Sequence, residues 1–246
     1  MPVPPEFDRL RVILVDARNP LNIGAAARAM SNFGFLHLRV VTPFDRAYRE
    51  ARSAVGAAPV LASAEEYNSV AEAVADCTLV VGTTAVGHRD VQHPLQRLQE
   101  GADVIRKSLT SGNVALMFGS ERFGLSNEDF NYCHWLLHIP TREEHFSMNL
   151  GQAVAVCLYE LARRGTVPAV SQEGTQASGE EVERMTVVLL DALRMSGYEV
   201  GSAAGTETKV RRLLRRLNLQ KSDIDLWLGM LRQILWKLRN DKKPEL

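Results

Sequence analysis

The chain is poor in cysteine. Its 246 residues include three cysteines, Cys77, Cys133 and Cys157, which are odd in number and far apart. This number is too small for a disulfide framework, and the spacing does not match a cysteine metal site. Five of the six histidines, His88, His93, His134, His138 and His145, also lack metal-ligand spacing. We therefore expect reduced, buried thiols in a cytosolic protein and no bound metal.

Long apolar runs are absent too. No segment approaches the roughly 20 apolar residues that a transmembrane helix needs. The first residues, Met1 to Glu6, lack the basic and apolar regions of a signal peptide. These absences predict a cytoplasmic protein with no membrane partner.

The formal net charge is zero, because 29 Lys and Arg residues balance 29 Asp and Glu residues. A neutral chain argues against a nucleic-acid partner, since phosphate contacts usually leave a basic footprint. The positive charges are unevenly placed, however, so local basic patches remain compatible with RNA. They form two clusters, one at Arg39, Arg46, Arg49 and Arg52 and the other at Lys209, Arg211, Arg212, Arg215 and Arg216.

Residues 10–164 alternate short apolar runs with helical patterns, which predicts βαβ units and an α/β fold with a mostly parallel sheet. The strand candidates are 11–15, 38–41, 79–81, 114–118 and 136–139. Helices are predicted over 22–32 and 149–164. Ser63 and Glu66 have capping-box spacing, which predicts another helix from there to about Asp76, and Ser126 and Asp129 cap a further one.

The pattern changes after residue 164. Residues 165–180 are rich in Gly, Ser, Thr and Gln, which predicts a linker. Three apolar stripes at helical spacing follow, so residues 181–246 are expected to form a small helical extension. The predicted organisation is a first domain over 1–164, the linker, and this extension.

Three polar segments occur at predicted strand ends or helix starts, where open α/β sheets bind ligands. They run from Asn19 to Gly34, from Phe118 to Ser126, and from Ile139 through Asn149 to Leu150. No G-x-G-x-x-G follows the first strand, and there is no P-loop. Nicotinamide and nucleoside-triphosphate chemistry therefore lack their usual motifs.

These segments, in this order, resemble the three motifs of the SpoU/TrmH branch of the SPOUT RNA methyltransferases. The resemblance implies transfer of a methyl group from S-adenosylmethionine to a ribose 2′-hydroxyl of RNA, without a metal. It also implies a SPOUT-type sheet with a deep C-terminal trefoil knot, and a homodimer with RNA spanning both subunits.

The resemblance also implies residue roles. The residues matching catalytic positions are Asn22, Arg28, Glu121, Ser147 and Asn149. Those matching cofactor-binding positions are Thr83, Thr84, Ala85, Gly119, Ile139, Phe146, Ser147 and Met148. Expected RNA contacts are Arg28, Asn32, Arg89 and Arg212. Arg28 and Asn32 are four apart and so share one helix face.

The loop from Gly82 to Ala85 and the basic helical tail are similar to the TrmJ-type subgroup. This similarity implies a tRNA substrate methylated in the anticodon loop, at nucleotide 32. The subgroup usually continues this loop with arginines, whereas Val86, Gly87 and His88 precede Arg89 here.

Methyl transfer to a ribose hydroxyl requires alignment and loss of the hydroxyl proton. Positioning can lower the barrier by several kcal/mol. Arginine stays protonated and is a poor base, but it can hold a phosphate and stabilise a developing alkoxide. We therefore expect Arg28 to act in this way, with the substrate phosphate assisting proton removal.

Three alternatives stay open. The same chemistry could act on ribosomal RNA, or the chain could be an RNA-binding homologue without catalysis. A generic α/β enzyme for a small molecule is the third, although the chain has no nucleophile elbow and no dinucleotide fingerprint.

Overall fold

A computed structural model describes residues 3–43, 46–85, 92–163, 175–198 and 202–240. Within these residues, seven strands form one sheet in the order β3-β2-β1-β6-β4-β7-β5. All six neighbouring pairs are parallel, which confirms the predicted α/β class. The strands are β1 (Leu10–Val15), β2 (His37–Val41), β3 (Glu65–Tyr67), β4 (Leu79–Thr83), β5 (Leu95–Arg97), β6 (Val114–Phe118) and β7 (Trp135–His138).

Helices connect the strands and form the tail. Those of the sheet region are α1 (Pro20–Phe33), α2 (Ala58–Ala62), α3 (Val70–Ala73), α4 (Leu98–Leu109), α5 (Asn127–Phe130) and α6 (Leu150–Ala162). The tail helices are α7 (Gly179–Ser196), α8 (Ala203–Arg216) and α9 (Lys221–Asn240). Short 3-10 helices cover Pro5–Arg9, Arg46–Glu50 and Glu143–His145. The trefoil knot implied by the resemblance stays a prediction.

Both faces of the sheet are covered, and the inner strands β1, β4 and β6 are accordingly almost entirely buried. On β1, Val12 and Leu14 belong to the core under α1, α4 and α6. Ile13 and Val15 point to the opposite face and pack with α3 and α5. Because the strands are parallel, the loops that follow them lie together at the carboxyl edge of the sheet.

The predicted helix from Ser63 to about Asp76 is wrong. Glu65 lies on β3, which pairs with β2, and α3 begins only at Val70. Tertiary contacts outweigh the local capping pattern, because Arg39 Nε donates to Glu65 Oε2 at 2.8 Å. The cap actually used is Ser69, whose Oγ accepts from Glu72 N at 3.3 Å.

The extension is helical, as predicted, and α7, α8 and α9 share a separate apolar cluster. Its first helix is hydrogen-bonded to the sheet region, since Gly179 N donates to Cys77 O at 2.8 Å and Glu180 N to Ala75 O at 2.8 Å. Helix α7 begins inside the predicted 165–180 linker, and residues 164–174 lie outside the described part of the chain. The proposed division into domains stays a prediction.

The three thiols are free and buried, as expected. Burial raises the pKa of the Cys157 thiol to about 12, so it is protonated and inert at neutral pH. In the described ranges, no helix is long and apolar enough to cross a membrane.

Candidate active site

A cleft of about 360 Å³ lies at the carboxyl ends of β4, β6 and β7. Its volume falls in the range of pockets for small ligands. All eight residues predicted to bind a cofactor line it, namely Thr83, Thr84, Ala85, Gly119, Ile139, Phe146, Ser147 and Met148. The sheet therefore brings the loops of three strands around one cleft.

The loop after β6 folds back on itself and forms one wall. A Cβ added at Gly119 would lie 1.9 Å from the carbonyl carbon of Gly124 and 2.0 Å from Leu125 N. Gly124 has a φ of +67° and donates its N–H to Ser120 O at 2.8 Å. Glycine is required at 119 by close backbone approach and is favoured at 124 by its φ.

Glu121 on this loop receives three hydrogen bonds from the start of α1. Its Oε1 accepts from Asn19 N at 3.1 Å and from Asn22 Nδ2 at 3.0 Å, and its Oε2 accepts from Arg18 N at 3.2 Å. Partial burial raises the pKa of Glu121, but these hydrogen bonds outweigh it and hold the pKa below the ordinary value of 4.5. The residue is therefore a carboxylate at neutral pH.

Asn22 connects this carboxylate to the third motif. Its Oδ1 accepts a hydrogen bond of 2.9 Å from Asn149 Nδ2, while Asn149 Oδ1 caps α6 by accepting from Gly151 N at 2.9 Å. Both amides are thereby fixed in orientation. Asn22, Glu121 and Asn149 form one chain of hydrogen bonds through all three motifs.

Small residues allow this arrangement. Gly151 faces Ala25, and an added Cβ there would lie 2.7 Å from the Ala25 Cβ. Because α1 and α6 approach so closely, Asn22 on α1 lies within reach of Asn149 at the start of α6.

Local hydrogen bonds hold the remaining walls. Thr83 Oγ1 donates to Met117 O at 2.9 Å, and Thr84 N donates to Leu137 O at 3.0 Å. Thr141 Oγ1 donates to Phe146 O at 3.3 Å. The side chains of Phe146 and Ser147 are exposed, so they are accessible to a ligand.

Arg28 and Asn32 lie on one exposed face of α1, as their spacing predicts. Neither residue lines the cleft of its own chain. Arg28 has no hydrogen bond or ion pair to the residues that the structure describes. The structure thus brings Asn22, Glu121, Ser147 and Asn149 to the cleft region, but leaves Arg28 free on the surface.

Arg212 is engaged within the protein. Its Nε donates to Asn131 Oδ1 at 2.8 Å and its Nη1 to Gln92 Oε1 at 2.7 Å, which attaches α8 to the sheet region. Arg89 lies outside the described residues. The RNA contacts predicted for both arginines stay predictions.

Internal contacts neutralise part of each basic cluster. Arg39 is buried and pairs with Glu65 and Asp76. Arg211 pairs with Glu183 at 2.7 Å and with Glu207 at 2.9 Å. Part of the positive charge that the sequence places close together therefore stabilises the fold.

Two contributions to the site were missed from the sequence. The backbone N–H groups of Arg18 and Asn19 bind Glu121. The Asn19-Pro20 helix start was a usable signal, since proline follows a cap at the first helical position. Arg122 and Phe123 also line the cleft, with the guanidinium 5.0 Å from the ring centroid.

The polar and apolar groups of the cleft suit an organic cofactor. Backbone is accessible at Gly119, apolar walls come from Ile139 and Met148, and hydroxyls from Thr84 and Ser147. Within the described residues, no three His, Cys, Asp or Glu side chains are grouped as metal ligands would be.

Comparison with known proteins identifies relatives. Residues 9–159 match the model of the SpoU rRNA Methylase family. The chain is 31% identical over 244 residues to the tRNA (cytidine/uridine-2'-O-)-methyltransferase TrmJ of Sodalis glossinidius, covering 96% of this chain and 93% of that protein. It is also 31% identical over 233 residues to an uncharacterized tRNA/rRNA methyltransferase of Haemophilus influenzae, covering 92% and 94% of the two chains.

A solved structure is similar as well. The crystal structure of TrmJ from Z. mobilis ZM4 superposes with a TM-score of 0.82 at 33% identity, covering 91% of this chain and 98% of that chain. The similarity therefore includes the tail helices in addition to the sheet region.

Proposed function

This chain belongs to the SpoU rRNA methylase family, and on that basis we propose that it is an S-adenosylmethionine-dependent tRNA ribose 2′-O-methyltransferase. The relative from Sodalis glossinidius carries the name of this reaction and matches nearly the full length of both chains. The proposed target is a nucleotide of the anticodon loop, and the proposed place of action is the cytoplasm.

One observation carries the proposal most directly. The hydrogen-bonded chain of Asn22, Glu121 and Asn149 joins three separated motifs beside a cleft whose walls include every predicted cofactor residue. A generic α/β fold does not require this network. Its members are polar groups with fixed orientation, as a preorganised site needs.

The cofactor would be held by the loops of β4, β6 and β7. S-adenosylmethionine, when bound, supplies an electrophilic methyl group on a sulfonium. The backbone at Gly119 and the side chains of Ile139 and Met148 would surround it, and Phe146 and Ser147 are accessible beside it. Glu121 acts on the protein by holding the start of α1 against this loop.

Arg28 would bind the RNA. Its exposed guanidinium has no partner among the described residues, so it is available for a backbone phosphate. Held there, it would orient the ribose and stabilise the alkoxide as the hydroxyl proton moves to the phosphate. Asn32, one turn along the same face, would add a second polar contact.

A homodimer would place the exposed face of α1, which carries Arg28, next to a second copy of the chain. Leu21 on α1 and Tyr159 on α6 are both more than half exposed. A second chain packed on these helices would cover apolar surface that water contacts in one copy. Because Arg28 lies outside its own cleft lining, such a dimer would allow it to serve the other cleft.

Ribosomal RNA is the second candidate substrate. The matching family model is described as an rRNA methylase family, and the Haemophilus relative is named for both RNA classes. The resemblance of the tail to the TrmJ-type subgroup favours tRNA.

The test is transfer of labelled methyl from S-adenosylmethionine to unmodified tRNA and to ribosomal RNA, followed by nuclease mapping. We expect ribose label in the tRNA anticodon loop, with Glu121→Ala inactive and Glu128→Ala, a change at an exposed residue of α5, fully active. Label in ribosomal RNA alone would mean that ribosomal RNA, and not tRNA, is the substrate. Absence of label in both RNAs would refute the proposal.

A further inference from the structure

A second, larger cavity lies between the tail and the sheet region. Its volume is about 750 Å³, and none of its lining residues belongs to the cofactor cleft. Leu79 and Trp135, the first residues of β4 and β7, lie on one side, and Arg215 and Arg216 at the end of α8 lie on the other. This tail cavity is thus at the amino edge of the sheet, opposite the cleft.

The residues that line the cavity carry an excess of positive charge. It includes Lys107, Arg215 and Arg216, and within the described residues it includes no Asp or Glu. The carbonyls at the end of α4, which also borders the cavity, would disfavour an anion. Arg9 counteracts them, because its Nη1 donates to Leu109 O at 3.2 Å and to Thr110 O at 2.5 Å.

Arg215 is the unusual member of this group. The residue is 2% exposed, and its Nη2 donates to Gly179 O at 3.3 Å. Its Nε and Nη1 are buried and have no hydrogen-bond partner in the part of the chain that the structure describes. A buried guanidinium ordinarily has a carboxylate beside it, since an unpaired buried charge is costly.

Glu183 is the carboxylate that acts most strongly on Arg215, and its Oε2 is buried without a hydrogen-bond partner among the described residues. Glu183 on α7 raises the pKa of Arg215, but burial lowers it more, and Arg211 opposes the carboxylate. Glu183 itself pairs with Arg211 at 2.7 Å. The part of the chain that the structure describes therefore leaves the Arg215 charge without an ion pair.

His134 adds a neutral donor to the same wall. Its Nδ1 accepts a hydrogen bond of 3.1 Å from Val80 N, so the ring proton is on Nε2. Burial, with a further contribution from Arg215, lowers the pKa of His134 to about 3, and the ring is neutral at pH 7. The neutral ring can therefore donate its Nε2 proton in a hydrogen bond to an anion without becoming charged.

We propose that the tail cavity binds a phosphate group through Arg215, Arg216 and Lys107. Three cations without a carboxylate match a doubly charged oxyanion better than a single carboxylate, and arginine offers forked donors that fit phosphate oxygens. The phosphate comes either from a free phosphate compound or from the backbone of bound RNA.

The first experiment uses the full chain and inorganic phosphate. We expect phosphate to raise Tm above the value in chloride of matched ionic strength, by about 3 to 5 °C for each tenfold increase in concentration above the Kd. The double variant Lys107→Gln, Arg216→Gln should lose this rise, and the control Arg232→Gln, at an exposed cation of α9, should keep it. General salting effects of phosphate would raise Tm equally in all three proteins and would refute the site.

Arg215→Met provides an independent readout. It removes the unpaired buried charge, so its Tm without phosphate should equal or exceed that of the unchanged protein, while its response to phosphate is lost. A large drop in Tm without phosphate would mean that Arg215 is compensated within the fold, which contradicts the proposal.

The second experiment distinguishes the sources of the phosphate. If RNA supplies it, the double variant should bind tRNA more weakly, with the slope of log K against log salt reduced by about 2, while Arg232→Gln leaves the slope unchanged. A response to inorganic phosphate with unchanged tRNA binding identifies a free phosphate compound. No effect in either experiment overturns the proposal, and neither readout depends on methyl transfer.

Discussion

Asn22 Nδ2 lies 3.0 Å from Glu121 Oε1, although the two residues are 99 positions apart in the chain. This hydrogen bond fixes the position of both residues. Glu121 holds the first turn of α1 against the loop after β6, and Asn22 transmits the orientation of Asn149 at the start of α6. A change at either residue should therefore disturb the cleft as a whole.

Glu121→Gln tests this network. Glutamine keeps the shape, but it loses the charge and turns an N–H group towards the N–H donors of Arg18, Asn19 and Asn22. We expect a loss of about 1 kcal/mol in the free energy of unfolding. Methyl transfer should fall by about 100-fold, because small misplacement is costly. Methyl-transfer assays and melting curves measure the two losses, with Glu128→Gln as the matched control. Equal activity and stability of the two variants would contradict the role of Glu121 in the network.

The same variant isolates a pH dependence. The pKa of Glu121 is lowered in the folded protein, so its stabilising effect is complete above the ordinary value of 4.5. It is lost as the pH falls through the folded pKa, when the carboxylate becomes protonated. The Tm difference between the unchanged protein and Glu121→Gln should be constant from pH 7 down to about 4.5 and shrink below it. A Tm difference that grows as the pH falls would mean that folding raises the pKa of Glu121, which contradicts the prediction.

Gly119→Ala should disrupt the cleft. The new Cβ would lie 1.9 Å from the Gly124 carbonyl carbon, so the loop has to move. Calorimetry should show cofactor binding weakened by at least about 10-fold, or 1.4 kcal/mol. The matched control is Gly229→Ala in α9, where an added Cβ meets nothing within 4 Å. That change should stabilise the protein by about 0.5 to 1 kcal/mol through helix propensity. Unchanged cofactor affinity in Gly119→Ala would show that the loop adapts.

Asp76→Asn should destabilise the sheet region. Asp76 Oδ1 and Oδ2 accept from Arg39 Nη1 at 2.5 Å and from Arg39 Nη2 at 3.0 Å. Removing one partner of a buried pair costs about 3 to 5 kcal/mol, and we expect about 2 here because Asp76 is part-exposed and Glu65 remains. Urea unfolding measures the loss. Asp225→Asn, at an exposed position of α9, should change stability by less than about 0.5 kcal/mol.

Arg28 should act on the cleft of the other copy. Arg28→Ala and Glu121→Ala proteins are each expected to be inactive alone. Mixed and allowed to exchange subunits, they should recover about one quarter of full activity, because half of the two-fold dimers then contain one intact site. Methyl-transfer assays of the mixture check this. A mixture that stays inactive although mass spectrometry shows mixed dimers would place Arg28 in its own cleft, and the absence of any dimer in the mass spectrum would contradict the proposed dimer.

The sequence predicted much of the sheet because its strands are buried on both faces. The runs at 12–15 and 114–118 are continuous and apolar, and neither shows a helical spacing of apolar residues. The eight residues that the family resemblance implies for the cofactor all line one cleft, and their cofactor-binding role stays a prediction. The strand at Glu65 was missed, since its stability comes from Arg39 and Asp76, which lie elsewhere in the chain.

The sequence alone determined the class of fold, the loops that form the cleft and the residue types available for chemistry, because these follow from periodicity and from motifs that are local in the chain. Only the tertiary structure decided which polar groups meet. It joined Asn22 to Glu121, placed Arg28 outside its own cleft, and buried Arg215 without an ion pair among the described residues. Charge clusters in sequence carry no information about partners, because an arginine reaches whichever acceptor the packing of distant elements brings within 3 Å.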